Sequence, residues 1–233
     1  YPGVTFNPEK TTFLQIDIDP TEIGRNYPVA VGAVADLKEA LPQILEEVKK
    51  LCPNGKSNPE LRRRIAETKA AFKESNRAIA EDSRFPMTPQ RILKDVKEVI
   101  PEDSLIYTDV GWNKNGVAQQ FDITIPGSIH HSSGLATMGF GSSAILGGKL
   151  AAPDKVVNNS AFGTIAGLEY ANYSTRFGTT FHTPDGASYT PNWAEIAKGY
   201  GIKAVRIESA DQFKPALEAA IASGEPYLLD VPM

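Results

Sequence analysis

Cysteine is nearly absent from this sequence, which has one in 233 residues. A single cysteine excludes an internal disulfide framework and a metal site built from several cysteines, and it is typical of the reducing cytoplasm. No run approaches the roughly 18 apolar residues of a membrane span, so we expect no membrane partner. Basic residues are not in excess either, since 24 Lys and Arg stand against 28 Asp and Glu. This balance argues against a nucleic-acid partner bound through a global positive field.

The glycine fingerprint of dinucleotide-binding folds is also missing, because no Gly-x-Gly-x-x-Gly precedes the first strand-like segment, Thr11 to Asp19. That segment is apolar and β-branched and stops at Pro20, which predicts a buried strand. Asp17 could accept a hydrogen bond from a ribose hydroxyl, but turn formation by Asp19 explains the local pattern more simply. Asp36 has the same ambiguity, and helix capping is its favoured role.

Strand-like and helix-like segments alternate along the chain. Apolar residues recur at helical spacing from Leu37 to Leu51, which predicts a helix with one face packed on a sheet. A polar, helix-prone stretch covers Ser57 to Arg84, and Thr88-Pro89 then has the sequence of a helix start. The later predicted strands are 104–108, 155–157, 203–207 and 227–231, and the later predicted helices are the second half of 132–148, 191–199 and 210–222. The alternation predicts an α/β fold of mostly parallel sheets with helices on both faces and a ligand beyond the strands' carboxyl ends.

Three segments that follow strands have the composition of ligand-binding turns. Asp109–Asn115 combines Gly, Asn and Lys before a helix, whose first N–H groups suit a phosphate. In 129–141 the small residues allow close approach of a helix or a flat ring. There His130 and His131 point to opposite faces of a strand, and one of them could transfer protons. Asn158–Gly163 offers oxygen ligands for Mg²⁺ or Ca²⁺ but no nearby carboxylate, so on its own it reads as a turn.

Taken in chain order, these segments resemble the thiamine-diphosphate (ThDP) enzymes of the acetolactate synthase type. The resemblance runs from Thr12 to Val231. The stretch FLQIDIDPTEIGRNYPVAVGAVAD is similar to the end of that family's central domain, and DVGWNKN, GLATMGFGSSAILGGKLAAP and NNSAFGTI are similar to its C-terminal domain. It implies part of a Rossmann-like central domain in 1–52, a helical linker in 53–87 and the ThDP-binding domain in 88–233.

The resemblance also implies contacts with the cofactor. It places the diphosphate against the turn of Gly111, Trp112 and Asn113. It places the aminopyrimidine amino group against the backbone carbonyl of Ala136, where close relatives often have glycine. Met138 matches the apolar residue that supports the bent cofactor.

Further ligand roles follow from the same resemblance. For Mg²⁺ it implies the Asn159 side chain and the Ala161 backbone carbonyl. Asp17 and Asp36 match positions that bind FAD or another adenine nucleotide in some relatives, while others have lost that cofactor. We expect the substrate side to be lined by four residues: Gln119, Gln120, His130 and His131.

One part of the family pattern is missing. The family's metal motif begins with Gly-Asp-Gly a few tens of residues before its Asn-Asn pair, whereas here Lys155-Val156-Val157 joins directly to Asn158. The metal-binding Asp and a β-α unit are thus absent between 157 and 158. Dropping such a unit from a parallel sheet would leave backbone groups of the strand ladder unpaired. We therefore expect this sequence to come from a longer chain, in which the missing segment becomes ordered only when Mg²⁺ and ThDP bind. A true deletion predicts an inactive protein.

The implied function is a Mg²⁺- and ThDP-dependent carboligase or lyase that acts on a 2-oxo acid or a related carbonyl compound. The cofactor carries the bond chemistry, and the protein orients it. The resemblance further implies a homodimer or homotetramer. Two other functions stay open: a non-catalytic ThDP-fold binding or assembly protein, because the metal Asp is missing, and a nicotinamide-dependent oxidoreductase, which the absent glycine fingerprint disfavours.

Overall fold

A computed structural model describes residues 6–160, 184–186 and 191–232. The chain divides into two compact units, one ending at Ile65 and the other beginning at Ala66. This division falls inside the predicted linker 53–87, within a helix. Within the described ranges every strand pair is parallel, and the strands alternate with helices. The predicted α/β class is confirmed.

The first unit holds a two-stranded sheet and one complete helix. Strand β1 is Leu14–Asp17, strand β2 is Val31–Val34, and helix α1 is Leu37–Leu51. Asp19 opens a 3₁₀ turn by accepting the Thr21 N–H at 2.8 Å, and Asp36 caps α1 by accepting the Lys38 N–H at 2.8 Å. Both local roles predicted for these carboxylates are confirmed.

The predicted packing of α1 on a sheet is wrong for the chain as described. Its apolar side chains have the helical spacing expected, yet they stay open to solvent. The exposed fractions are 51% for Leu37, 54% for Leu41, 43% for Ile44, 53% for Leu45, 49% for Val48 and 79% for Leu51. The two-stranded sheet is itself thinly covered, with Leu14 71% exposed and Val31 61% exposed. Amphipathic spacing predicts the helix correctly, but the described residues of this unit do not cover its apolar face.

The second unit carries most of the elements. Its helices are α2 (Pro59–Ala80, which begins in the first unit), α3 (Pro89–Val99), α4 (Trp112–Gln120), α5 (Phe140–Ala151), α6 (Trp193–Gly199) and α7 (Ala210–Ala222). Its strands are β3 (Leu105–Thr108), β4 (Ile129–His131), β5 (Val157–Ser160), β6 (Lys203–Arg206) and β7 (Tyr227–Asp230). The strands form one sheet of order β4-β3-β5 and one pair, β6-β7.

The core of the second unit lies on both sides of α3. One cluster joins α3 to α7 and to the residue that follows β6. Its members are Met87, Val96, Ile207, Ala210, Phe213 and Leu217. The other joins α3 to β3 and α4 through Leu93, Ile106 and Val117. Alternate residues of β3 face opposite ways, so Ile106 packs toward α3 and α4 while Tyr107 lies against Gly148 of α5. Helices therefore cover both faces of the β4-β3-β5 sheet, as the sequence predicts.

The starts of β5 and α6 each lie two residues later than predicted. The strand predicted at 155–157 is instead β5, Val157–Ser160, so the Asn158-Asn159 pair lies in a strand and not in a turn. Lys155 belongs to the turn after α5, where its N–H donates to the Ala152 carbonyl at 3.1 Å. Helix α6 begins two residues after Pro191, because the Asn192 side chain caps it by accepting the Glu195 N–H. In the described part of the chain, no helix combines the length and apolarity that crossing a membrane requires.

Candidate functional site

The turn after β3 leaves a helix start without a side-chain cap. Gly111 is the N-cap of α4 and has φ 113°, ψ −153°, a conformation that only glycine adopts without strain. No side-chain hydrogen bond from the described residues caps α4. The first N–H groups of a helix and its positive dipole end form a ready site for a phosphate. Gly111 is thus at the turn where the sequence places it, and Trp112 and Asn113 form the first residues of α4.

A second segment of unusual backbone lies after β4. Gly134 has φ 69°, Ala136 φ 49° and Gly139 φ 84°, so three of six residues are in the left-handed region. Ala136 is the one non-glycine residue with positive φ among those described. Helix α5 begins directly afterwards, and Met138, one residue before its N-cap, is 59% exposed. The segment 134–139 thus follows β4 at the same edge of the sheet at which the Gly111 turn follows β3.

Asp109 joins these two segments. Its side chain is buried, with 4% of the residue exposed. Oδ1 accepts the Val110 N–H at 2.7 Å and the Gly139 N–H at 3.0 Å, and Oδ2 accepts the Gly141 N–H at 3.2 Å. Sequence reasoning assigned Asp109 no role. The available signal was an acid between a buried strand and a glycine turn, but two of its three partners lie 30 and 32 residues away and leave no local pattern.

The predicted substrate-side residues are not all brought together. His130 in β4 stacks on Tyr107, with ring centroids 4.6 Å apart and planes at 14°, and the Tyr107 ring lies against Gly148. His131 is exposed and points to the other face of the strand. Gln119 and Gln120 end α4, about 12 Å along its axis from the Gly111 turn. Gly148 lies outside the segment 129–141, so the prediction for the small residues of that segment is not tested by this contact.

A buried hydroxyl also marks this edge of the sheet. Thr108, the last residue of β3, is 1% exposed, and its Oγ1 has no hydrogen-bond partner among the described residues. In register it lies opposite His131 of β4 and Ser160 of β5. An unpaired buried hydroxyl costs free energy unless water or a ligand satisfies it. The orphan group lies at the carboxyl ends of the strands, where ligands of parallel sheets bind.

The described residues do not by themselves fit a Mg²⁺ site. Asn159 lies in β5 opposite Tyr107, and the other predicted ligand, Ala161, lies outside the described residues. Both oxygens of the Asp109 carboxylate accept backbone N–H groups. Within the described ranges no three His, Cys, Asp or Glu side chains cluster as metal ligands would. Mg²⁺ prefers carboxylate oxygens, and we therefore derive no chemical step through the metal.

The two carboxylates predicted to bind an adenine nucleotide lie in the first unit. Asp17 ends β1 and is in register with Val34, two residues before Asp36. Oδ1 of Asp17 accepts the Asp19 N–H at 3.0 Å, and Asp36 caps α1. The structure thus brings both to one edge of the β1-β2 sheet, where each already accepts a backbone hydrogen bond. Nucleotide binding by this pair stays a prediction.

Comparison with known proteins agrees with this geometry. The family model "Thiamine pyrophosphate enzyme, C-terminal TPP binding domain" matches residues 109–157 and again 155–231, and the model of the central domain matches residues 1–44. The first match of the C-terminal domain therefore starts at Asp109, and its second match resumes where Lys155 to Val157 enter β5.

Similar whole proteins carry names from the same family. A "Probable acetolactate synthase large subunit" of Methanocaldococcus jannaschii is 33% identical over 97% of this chain, and one of Methanococcus aeolicus is 31% identical over 93%. "Acetolactate synthase 1, chloroplastic" of Zea mays is 28% identical over 95%. The chain spans 42% of each archaeal relative and 40% of the maize protein. With both domain models matched in family order, the chain belongs to the thiamine pyrophosphate enzyme family.

Proposed function

We propose that the second unit binds ThDP at the carboxyl ends of β3 and β4. One observation carries the proposal: the glycine turn at the start of α4 and the left-handed segment 134–139 flank a single buried carboxylate, Asp109. The uncapped start of α4 suits the diphosphate. The backbone of Ala136 and the side chain of Met138 suit the flat aminopyrimidine and the bend of the cofactor.

The reaction that we propose is of the acetolactate synthase type, namely carboligation or C–C cleavage of a 2-oxo acid or related carbonyl substrate. When bound, ThDP supplies the carbon nucleophile for this chemistry. The chain's residues bind the diphosphate at Gly111 and orient the pyrimidine at Ala136 and Met138. His131 and Thr108, the last residues of β4 and β3, are our candidates for contact with substrate.

We further propose that the protein binds Mg²⁺, that it self-associates and that it is located in the cytoplasm. Mg²⁺ would be held through Asn159 together with ligands that the described residues do not supply. Two relatives are named as large subunits of an acetolactate synthase, and we propose a homodimer or homotetramer for this chain.

Calorimetric titration with ThDP, with and without Mg²⁺, tests the proposed function. We expect one ThDP per chain, and we expect Gly111→Ala to weaken binding because φ 113° excludes a side chain. The matched control is Gly127→Ala, also at positive φ (75°) but before β4, at the opposite edge of the sheet. Equal losses in the two variants, or no binding by the wild type, would contradict the proposal.

A further inference from the structure

We propose that Asp109 is a positioning residue that couples the diphosphate turn to the pyrimidine segment, so that the cofactor's two ends meet one preorganised site. The inference rests on the proposed function and goes beyond it by assigning a role to a residue that touches neither end of the cofactor. Asp109 lies two residues before Gly111, and its carboxylate binds the amide of Gly139, one residue after Met138.

The geometry gives the carboxylate two partners from outside its own turn, the amides of Gly139 and Gly141. Helix α5 has Gly139 as its N-cap, and this residue has no side chain with which to cap the helix. Asp109 supplies the missing acceptor from 30 residues away, and its second oxygen accepts the amide of Gly141, the second residue of α5. The negative charge also lies at the positive end of the α5 dipole, where it is favoured.

Both oxygens are needed for this bridge. Oδ1 serves the Val110 amide of its own turn and the Gly139 amide of the other segment, while Oδ2 serves Gly141. An asparagine has nearly the same shape but only one acceptor oxygen, and its NH₂ group would face a backbone N–H. Asp109→Asn is thus a small change in volume that breaks one half of the bridge.

Coupling of the two segments by Asp109 predicts that losing the bridge weakens the binding of some ligands more than that of others. A ligand that contacts only the Gly111 turn, such as inorganic diphosphate, does not depend on where segment 134–139 lies. ThDP spans the Gly111 turn and segment 134–139, so its affinity is higher when both are already held in place before it binds. Loss of the bridge should therefore weaken ThDP binding far more than diphosphate binding.

The test compares wild type, Asp109→Asn and Asp103→Asn by calorimetry with ThDP and with inorganic diphosphate, both in Mg²⁺. Asp103 is a matched control, because it is an exposed carboxylate at the other end of β3 that pairs with Lys155. We expect Asp109→Asn to weaken ThDP binding at least about tenfold, within the usual range of coupling between sites, and diphosphate binding by no more than about threefold. Asp103→Asn should change neither affinity.

Amide hydrogen exchange without ligand separates coupling from general loss of structure. In Asp109→Asn we expect faster exchange at Gly139 and Gly141 and unchanged exchange in α7, which contributes no residue to the cluster that packs α3 on β3 and α4. Equal weakening of both ligands, or unchanged exchange at the two glycines, would overturn the coupling while leaving ThDP binding intact. A wild-type chain that binds neither ligand would overturn the proposed function and the coupling together.

Discussion

Among the described residues, Ala136 is the one non-glycine residue with a positive φ. At φ 49° it occupies the left-handed region, where the Cβ of an L-residue meets the following carbonyl at a cost of roughly 1–2 kcal/mol. Glycine carries no such cost. Gly134 and Gly139, two and three residues away, also have positive φ.

Ala136→Gly is therefore expected to stabilise the chain. Relief of the strain exceeds the added flexibility of the unfolded state, and we expect a gain of about 1 kcal/mol in the free energy of unfolding. Denaturation in urea measures it. The control Ala144→Gly, within α5, should lose about 0.5–1 kcal/mol, since glycine weakens a helix interior. A loss at both positions would mean that Ala136 is not strained.

Single residues show where sequence reasoning succeeds and where it stops. The turn at Gly111 could be located from sequence because a strand, a glycine and a helix follow one another within a few residues. The role of Asp109 could not, since two of its three hydrogen bonds close over 30 or more residues. For Asn159 the strand register was missed, because its partner in β3 is also remote in sequence.

At the scale of elements, β3 and α5 approach so closely that only glycine fits between them. A Cβ at Gly148 would lie 2.6 Å from Tyr107 Oη and 2.7 Å from two carbons of the Tyr107 ring. A Cβ at Gly147 would meet nothing within 4 Å. The Tyr107 ring is fixed on its other side by His130. These adjacent glycines of one helix therefore make a natural matched pair.

Gly148→Ala should destabilise the chain by about 1–3 kcal/mol, the usual cost of overpacking, while Gly147→Ala should stabilise it by about 0.5–1 kcal/mol through helix propensity. Thermal unfolding of the two variants measures the difference. The same sign of change for both would show that α5 does not pack on Tyr107 as described.

A second contact between elements is electrostatic. Asp122, after α4, accepts from Lys69 and Lys73 of α2 at 3.0 Å each and from Lys97 of α3 at 3.3 Å. Hydrogen bonds from Lys73, Lys69 and Lys97 hold the pKa of Asp122 well below its usual value of 3.8. A depressed folded-state pKa contributes stability above the unfolded value, and that contribution is lost as the pH falls toward the folded value.

Asp122→Asn should therefore cost stability at neutral pH and much less in acid. Because the carboxylate is 38% exposed, screening keeps the expected loss at about 1 kcal/mol or below. Urea titrations measure the difference in unfolding free energy between wild type and variant. This difference should be smaller at about pH 3 than at about pH 7, and added salt should also reduce it. A gap that widens in acid would contradict this assignment.

Elements with strong local signals were predicted well. Helices α1, α3 and α7 have clear apolar spacing, and α1 and α3 begin at the predicted caps Asp36 and Thr88. The parallel sheet followed from the alternation of strands and helices. The position of β5 did not, because the carbonyls of Pro153 and Lys155 bind the Lys149 ammonium and prolong the turn.

At the scale of the whole molecule, the alignment with a relative contains internal positions that have no counterpart in this chain. The alignment with the Methanococcus aeolicus protein spans 252 positions, more than the 233 residues present here. The family model of the C-terminal domain also matches in two parts that meet at 155–157. The break between the two matches falls where the sequence predicts a missing unit. That this unit is the Gly-Asp-Gly segment between Val157 and Asn158 stays a prediction.

Restoring that unit makes a prediction about the metal. Inserting the Gly-Asp-Gly segment of a relative between Val157 and Asn158 should make ThDP binding depend on Mg²⁺ and tighten it at least about tenfold, because metal and ligand stabilise the same folded site. The control is the same insertion with Asn in place of its Asp. Equal responses to Mg²⁺ in both chains would contradict a metal role for that carboxylate.

Amide hydrogen exchange with and without ThDP tests the central claim most directly, namely that the turn at 111–114 and the segment 134–141 form one cofactor site. We predict that saturating ThDP slows exchange in both segments together, and leaves exchange in β6 and β7 unchanged. Protection of neither segment, or of one without the other, would contradict the account.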